Sequence, residues 1–131
     1  QTHNFVVGHE PAFPLPDMDN GRLRHETDSL NAHPENRDRF WTLLAAYDAI
    51  YLCGHTHNTS VERIQGVWQI DAGHARGLGD TGAASTYVQI HIQNNFITYD
   101  IYRDDAAGGA YTRMHSGVLK GLKVYLPVIQ K

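Results

Sequence analysis

A single cysteine, Cys53, stands in 131 residues, so no internal disulfide can form and the redox compartment stays open. No run of about 18 apolar residues exists, so no helix that crosses a membrane and no membrane partner are expected. Basic charge is not in excess: 11 Lys and Arg face 14 Asp and Glu, a net charge of −3 with His neutral. That balance argues against binding nucleic acid by bulk charge. The opening QTHNFVVGHE has no basic stretch leading into an apolar core. No signal peptide is therefore read there, and localisation is unknown. Repeats and low-complexity tracts are also lacking. At 41% hydrophobic and 19% charged, the chain can bury a core, and its length suits one domain or part of a larger one. The surplus is histidine, at nine residues. Histidine is the commonest metal ligand and the proton carrier near pH 7, so its placement is informative.

Phe5 to Val7 is a short apolar run stopped by Gly8 and reads as a buried strand. Residues 11–33 and the following Pro34 hold four of the five prolines, and the segment reads as a long loop, of the kind that is usually functional or mobile. Pro34 opens a helix, where its missing N–H costs nothing. Phe40, Leu43, Leu44 and Tyr47 follow the spacing of one helical face. Ile50 to Cys53 is a second buried strand, stopped by Gly54. Val61–Ile64 and Val67–Ile70 flank Gln65-Gly66 as a hairpin. Thr86–Gln93 and Phe96–Arg103 flank Asn94-Asn95 as another, pairing Val88 with Ile101, Ile90 with Tyr99 and Ile92 with Ile97. One more strand is expected at Leu122–Leu126. The fold class is α/β, or α+β for the piece alone: a parallel strand–helix–strand unit over residues 1–57, then an antiparallel sheet of about four strands within 58–131.

Three histidines follow directly on buried strands. His9 comes after Val6-Val7-Gly8, and His55 and His57 after Tyr51-Leu52-Cys53-Gly54. Extended backbone would point His55 and His57 the same way and Thr56 the other, a geometry for metal ligands. Each preceding glycine lets the chain turn sharply. Val7-Gly8-His9-Glu10-Pro11, followed by Leu52-Cys53-Gly54-His55-Thr56-His57, resembles the last two motifs of the calcineurin-like metallophosphoesterases, a group that includes the purple acid phosphatases. The resemblance covers roughly residues 4–104. It implies a β-sandwich flanked by helices, with two divalent or trivalent ions (Fe, Mn, Zn or Ni) between its sheets. His9 and His55 would bind one ion and His57 the other. A metal-activated hydroxide would then hydrolyse a phosphomonoester or phosphodiester.

The family's earlier motifs, Asp-x-His, Gly-Asp-x-x-Asp and Gly-Asn-His-Asp/Glu, occur nowhere in the chain. The sequence therefore reads as a single partial domain, the C-terminal half of such an enzyme. Its catalytic set is incomplete, and without a bridging carboxylate it is expected to hold one metal at most and to be inactive alone. Its expected partners are the missing N-terminal half, a phosphoester substrate and, through exposed strand edges, other copies of itself, with Gly108-Gly109 as a hinge for swapping the tail. His74 and Arg76, in the segment that follows the strand ending at Ile70, are candidate phosphate donors, though a solvated turn explains them more simply. Arg22, Arg24, His25 and Asp28 read as a substrate lid or, more simply, a solvated loop. His3, His33, His91 and His115 read as surface or structural, and Cys53 as a small core residue. Two other classes compete. A mononuclear cupin would use His55, His57 and Glu62, but it wants a glycine at position 49, which is Ala49. A non-catalytic β-rich interaction module would bind no metal.

Overall fold

The computed structural model describes residues 3–75, 84–104 and 109–121. Strand β1 (Phe5–Val7) leads through the long loop, which ends in a 3-10 turn at Leu30–Ala32, to helix α1 (Pro34–Ala46). Strands β2 (Ile50–Cys53), β3 (Thr59–Ile64), β4 (Val67–Ala72), β5 (Thr86–Gln93), β6 (Phe96–Arg103) and β7 (Thr112–Lys120) follow. The first sheet runs β1-β2-β4-β3 and the second β5-β6-β7.

The strand–helix–strand unit is parallel, with Phe5 opposite Ile50 and Val7 opposite Leu52. The first hairpin turns at Gln65-Gly66, where both residues have positive φ, the backbone that a tight two-residue hairpin loop needs. This hairpin does not begin the antiparallel sheet expected of it. β4 pairs in parallel with β2, Ile50 opposite Trp68 through Cys53 opposite Asp71, so the hairpin extends the first sheet. β4 buries Val67, Gln69, Ile70 and Asp71, residues of both its faces, as a central strand must. The parallel strands and α1 also differ from an all-β cupin barrel, and Glu62 is exposed on β3.

The second hairpin has the expected register, Val88 opposite Ile101, Ile90 opposite Tyr99 and Ile92 opposite Ile97. Its third strand, β7, went unread in the sequence. It buries Leu119 but little else, and Gly117 lies against the Tyr99 ring, where a Cβ would come within 2.7 Å of it. The expected strand at Leu122–Leu126 and the hinge residue Gly108 lie outside the described residues.

The core has two parts, one on each face of the first sheet. Ile50 and Ile70 pack with Ile97 and Leu119 of the second sheet, and the Trp68 indole donates to the Leu119 carbonyl at 2.7 Å. On the other face Ala12, Trp41, Leu44, Tyr51, Cys53 and Val67 pack together, with Phe13 and Leu30 of the loop against them. Cys53 is the core residue expected, and burial pushes its thiol pKa up. The buried helix face matches the expected one only in part, with Phe40 half-buried against the core. Trp41 and Leu44 go in, while Leu43 and Tyr47 stay 55% and 64% exposed. Trp41 fixes this rotation: its indole donates to the Ile64 carbonyl at 2.9 Å, and its ring meets Phe13 edge-on.

Candidate metal centre

Because β1, β2 and β4 are parallel, all three release the chain at the same edge of the sheet. Each is followed closely by Gly-His: Gly8-His9, Gly54-His55 and Gly73-His74. Open α/β sheets place ligands at this edge. Two of the glycines have specific reasons. A Cβ on Gly8 would lie 2.2 Å from the Tyr51 hydroxyl, which donates to the Glu10 carbonyl. Gly73 has φ +75°, and a Cβ there would lie 2.5 Å from Thr59 Oγ1. Gly8 N–H donates to the Leu52 carbonyl and Gly54 N–H to the His9 carbonyl, joining the two strand ends.

His55 and His57 are not extended, as the alternation argument had them. Both are left-handed, with φ 69° and φ 58°. The cause lies in Thr56, which is fully buried between them. Its hydroxyl donates to Asp71 Oδ2 at 2.5 Å and accepts from the Asn58 N–H. Drawing this short side chain into the core forces a bend on either side, and left-handed backbone costs a non-glycine residue about 1 kcal/mol or more. Burial raises the Asp71 pKa to about 7, against the lowering effect of the Thr56 hydrogen bond.

The long loop is not a solvated strap. Gln69 of β4 accepts from the Ala12 and Phe13 N–H groups and donates to the Phe13 carbonyl. Asp17 receives the Thr59 N–H and the Arg103 guanidinium. Arg22 donates to Asn58 Oδ1 and to the His57 carbonyl, while Asn58 donates to the Arg22 carbonyl. These anchors carry His25 and Asp28 onto the strand-end histidines. His25 is itself left-handed, with φ 58°.

The rings form a continuous row. His9 and His55 have centroids 4.9 Å apart, His55 and His25 4.5 Å, His25 and His57 6.5 Å, and His57 and His74 5.4 Å. His55 Nδ1 lies 3.1 Å from His9 Nε2, and His55 Nε2 lies 3.6 Å from Asp28 Oδ2. His25 Nδ1 is 2.9 Å from the same Asp28 oxygen, and that hydrogen bond lowers the Asp28 pKa. A tetrahedral ion with bonds of about 2.1 Å sets its ligand atoms about 3.4 Å apart, so these spacings suit metal ligands.

Of the residues singled out in the sequence, His9 and His55 are thus brought together. His57 lies beyond His25, beside His74. His74 is buried rather than solvated, and Arg76 lies outside the described residues. The sequence reading missed the contribution of His25 and Asp28; their i, i+3 spacing was the signal within the loop. Asp28 also adds a carboxylate to what had been read as three imidazoles. Three of the four remaining histidines have structural partners, His3 the Asn94 carbonyl, His91 Asp100 and His115 Asp19, and His33 is exposed just before α1.

No protein-family model matches the sequence, and no curated protein matches it. Solved structures do. The chain resembles vacuolar protein sorting 29 from Cryptosporidium parvum at TM-score 0.50 and 18% identity, over 66% of this chain and 44% of that one. A single mutant of Vps29 from Entamoeba histolytica matches at TM-score 0.50 and 17% identity, over 87% of this chain and 57% of that one. A predicted phosphoesterase from Streptococcus pneumoniae matches at TM-score 0.47 and 16% identity, over 76% and 55%. The chain spans about half the length of the structures it matches. The fold that the two Vps29 structures share with it is mixed α+β.

Proposed function

We propose that this chain contributes one half of a metal-dependent phosphohydrolase site acting on phosphomonoesters or phosphodiesters. The observation that carries the reading is the meeting of His9 and His55 at the ends of the adjacent parallel strands β1 and β2. His9 and His55 present nitrogens to each other at 3.1 Å, as two ligands of one ion would, and His57 stands apart to serve a second. Bound ions of the Fe, Mn, Zn or Ni type would activate water and neutralise charge on the phosphate. The chain's own part is to hold its imidazoles on a rigid sheet edge. His74, buried beside His57, and Arg76 are placed in sequence to donate to phosphate oxygens.

The test is hydrolysis of p-nitrophenyl phosphate and bis(p-nitrophenyl) phosphate by the whole product of the reading frame, with Mn2+, Zn2+ or Fe2+. The expected result is metal-dependent turnover, abolished by His9→Ala and by His57→Ala. Absence of turnover for both esters under every metal refutes the proposal and favours a non-catalytic interaction module.

A further inference from the structure

The geometry points to a mononuclear transition-metal site formed by His25, Asp28 and His55, assembled by the long loop against the end of β2. It goes beyond the phosphohydrolase reading, from which it takes only His55.

One ligand atom from each of the three residues lies within 4.8 Å of the other two. An ordinary His25–Asp28 ion pair accounts for the contact between those two side chains, but not for His55. The Nδ1 of His55 is engaged with His9, whereas its Nε2 is buried with no hydrogen-bond partner among the described residues. Leaving a buried polar nitrogen unmatched costs free energy. This one faces Asp28 Oδ2 at 3.6 Å, beyond hydrogen-bond reach and close to the ligand spacing around an ion. An ion bound by the three residues satisfies that nitrogen, which an ion pair at the surface does not.

The donor set selects the class of ion. Two imidazoles and one carboxylate suit Zn2+, Fe2+ or Co2+, whereas Mg2+ and Ca2+ prefer all-oxygen shells. Three protein ligands leave open positions, as in catalytic rather than structural metal sites. The Asp28 carboxylate adds an oxygen donor to the imidazoles. The loop does not need the ion to reach this place, because Gln69, Asp17 and Asn58 already anchor it.

The test is Zn2+ titration of the 131-residue chain at neutral pH against a chromophoric chelator, repeated with Co2+ to read the visible absorption of the site. Wild type is expected to take up one equivalent. Asp28→Asn and His25→Gln, polar changes of similar size in the loop, should each weaken zinc binding by about tenfold or more and change the Co2+ spectrum. His91→Ala on the other sheet should leave both unchanged. Circular dichroism melts confirm that each variant is folded. Absence of zinc uptake by wild type, or wild-type affinity in both loop variants, overturns the proposal. Zinc lost in His9→Ala and His57→Ala but retained in the loop variants assigns the ion to the phosphohydrolase ligands and overturns this site alone. Zinc held through His25 and Asp28 in this chain, with neither ester hydrolysed by the whole product of the reading frame, leaves this site standing and overturns only the phosphohydrolase reading.

Discussion

Replacing Arg103 with methionine tests how the long loop is held. The guanidinium forks onto Asp17, Nη1 to Oδ1 at 3.1 Å and Nη2 to Oδ2 at 2.6 Å, and also reaches Asp19. The two side chains are 7% and 1% exposed. Methionine keeps most of the volume but strands a buried carboxylate, and breaking such a pair costs about 3–5 kcal/mol. Unfolding entropy of about 2.1 cal/mol/K per residue over a chain this long makes that a fall of about 11–18 °C in Tm. Burial raises the Asp17 pKa, but Arg103 and the backbone donors outweigh it and the net shift is downward. The pair's contribution is thus present above the unfolded value of 3.8 and is lost as pH falls through the lower folded value. Urea unfolding at pH 7 measures the loss, and limited trypsin digestion reports release of the loop at Arg22 and Arg24. Asp17→Asn combined with Arg103→Met should be less destabilised than Arg103→Met alone, because it removes the stranded charge. A single variant within about 1 kcal/mol of wild type, or a double variant worse than the single, refutes the argument.

Gly8→Ala should cost about 1–3 kcal/mol through collision with the Tyr51 hydroxyl; Tyr51→Phe in the same chain should recover part of it, and thermal melts compare the three proteins. Asp71, raised from 3.8 to about 7 in the fold, favours the folded state fully below pH 3.8, an advantage lost as pH rises through 7. Asp71→Asn should flatten that limb, worth about 2–4 kcal/mol, and urea midpoints from pH 4 to 8 that keep their slope would contradict it. β1 has no partner on its outer side among the described residues, Val7 is 77% exposed, and Phe5, Phe40, Leu43 and Tyr47 line a groove of ≈ 420 Å³ beside it. The chain should therefore self-associate at low micromolar concentration; light scattering that shows a monomer unchanged on dilution would mean the loop, which already packs Ala12, Phe13 and Leu30 on the core, covers enough apolar surface.

What the sequence made legible was local. The second hairpin could be read to the residue because its two strands alternate on both sides of one turn and Asn94 tolerates left-handed backbone. β1 and β2 were legible as short apolar runs closed by glycine. The parallel pairing of β4 with β2 was not, because no property of Val67–Ala72 alone distinguishes a hairpin's outer strand from the centre of a sheet. The helix face was legible only in part: Leu44 and Phe40 do pack inward, but Leu43 and Tyr47 fit the period and stay out because Trp41 has a hydrogen-bond acceptor at Ile64. β7 was hidden because its exposed positions are mixed and one of its contacts uses a glycine, the residue with no side chain to reveal it.

The same distinction separates the visible from the invisible half of the site. His9 and His55 were legible because strand ends carry them. His25 and Asp28 were not, because their place depends on Gln69 and Asn58 catching the backbone of a loop far away in sequence, and on Asp17 of that loop catching the Thr59 N–H. Apolar packing is tolerant of small shifts, whereas a buried amide or carboxylate must find its partners or cost several kcal/mol. Buried polar side chains are therefore what can fix an irregular segment closely enough to bring ligand atoms about 3 Å apart. Here they lie beneath the histidine row: Asp71 holds Thr56 between His55 and His57, Asn58 holds Arg22, and Asp17 holds the loop against Thr59 and Arg103. Loosening any of them should disturb the spacing of the imidazoles before it disturbs the two hydrophobic clusters, because no ligand pair is set by those clusters alone.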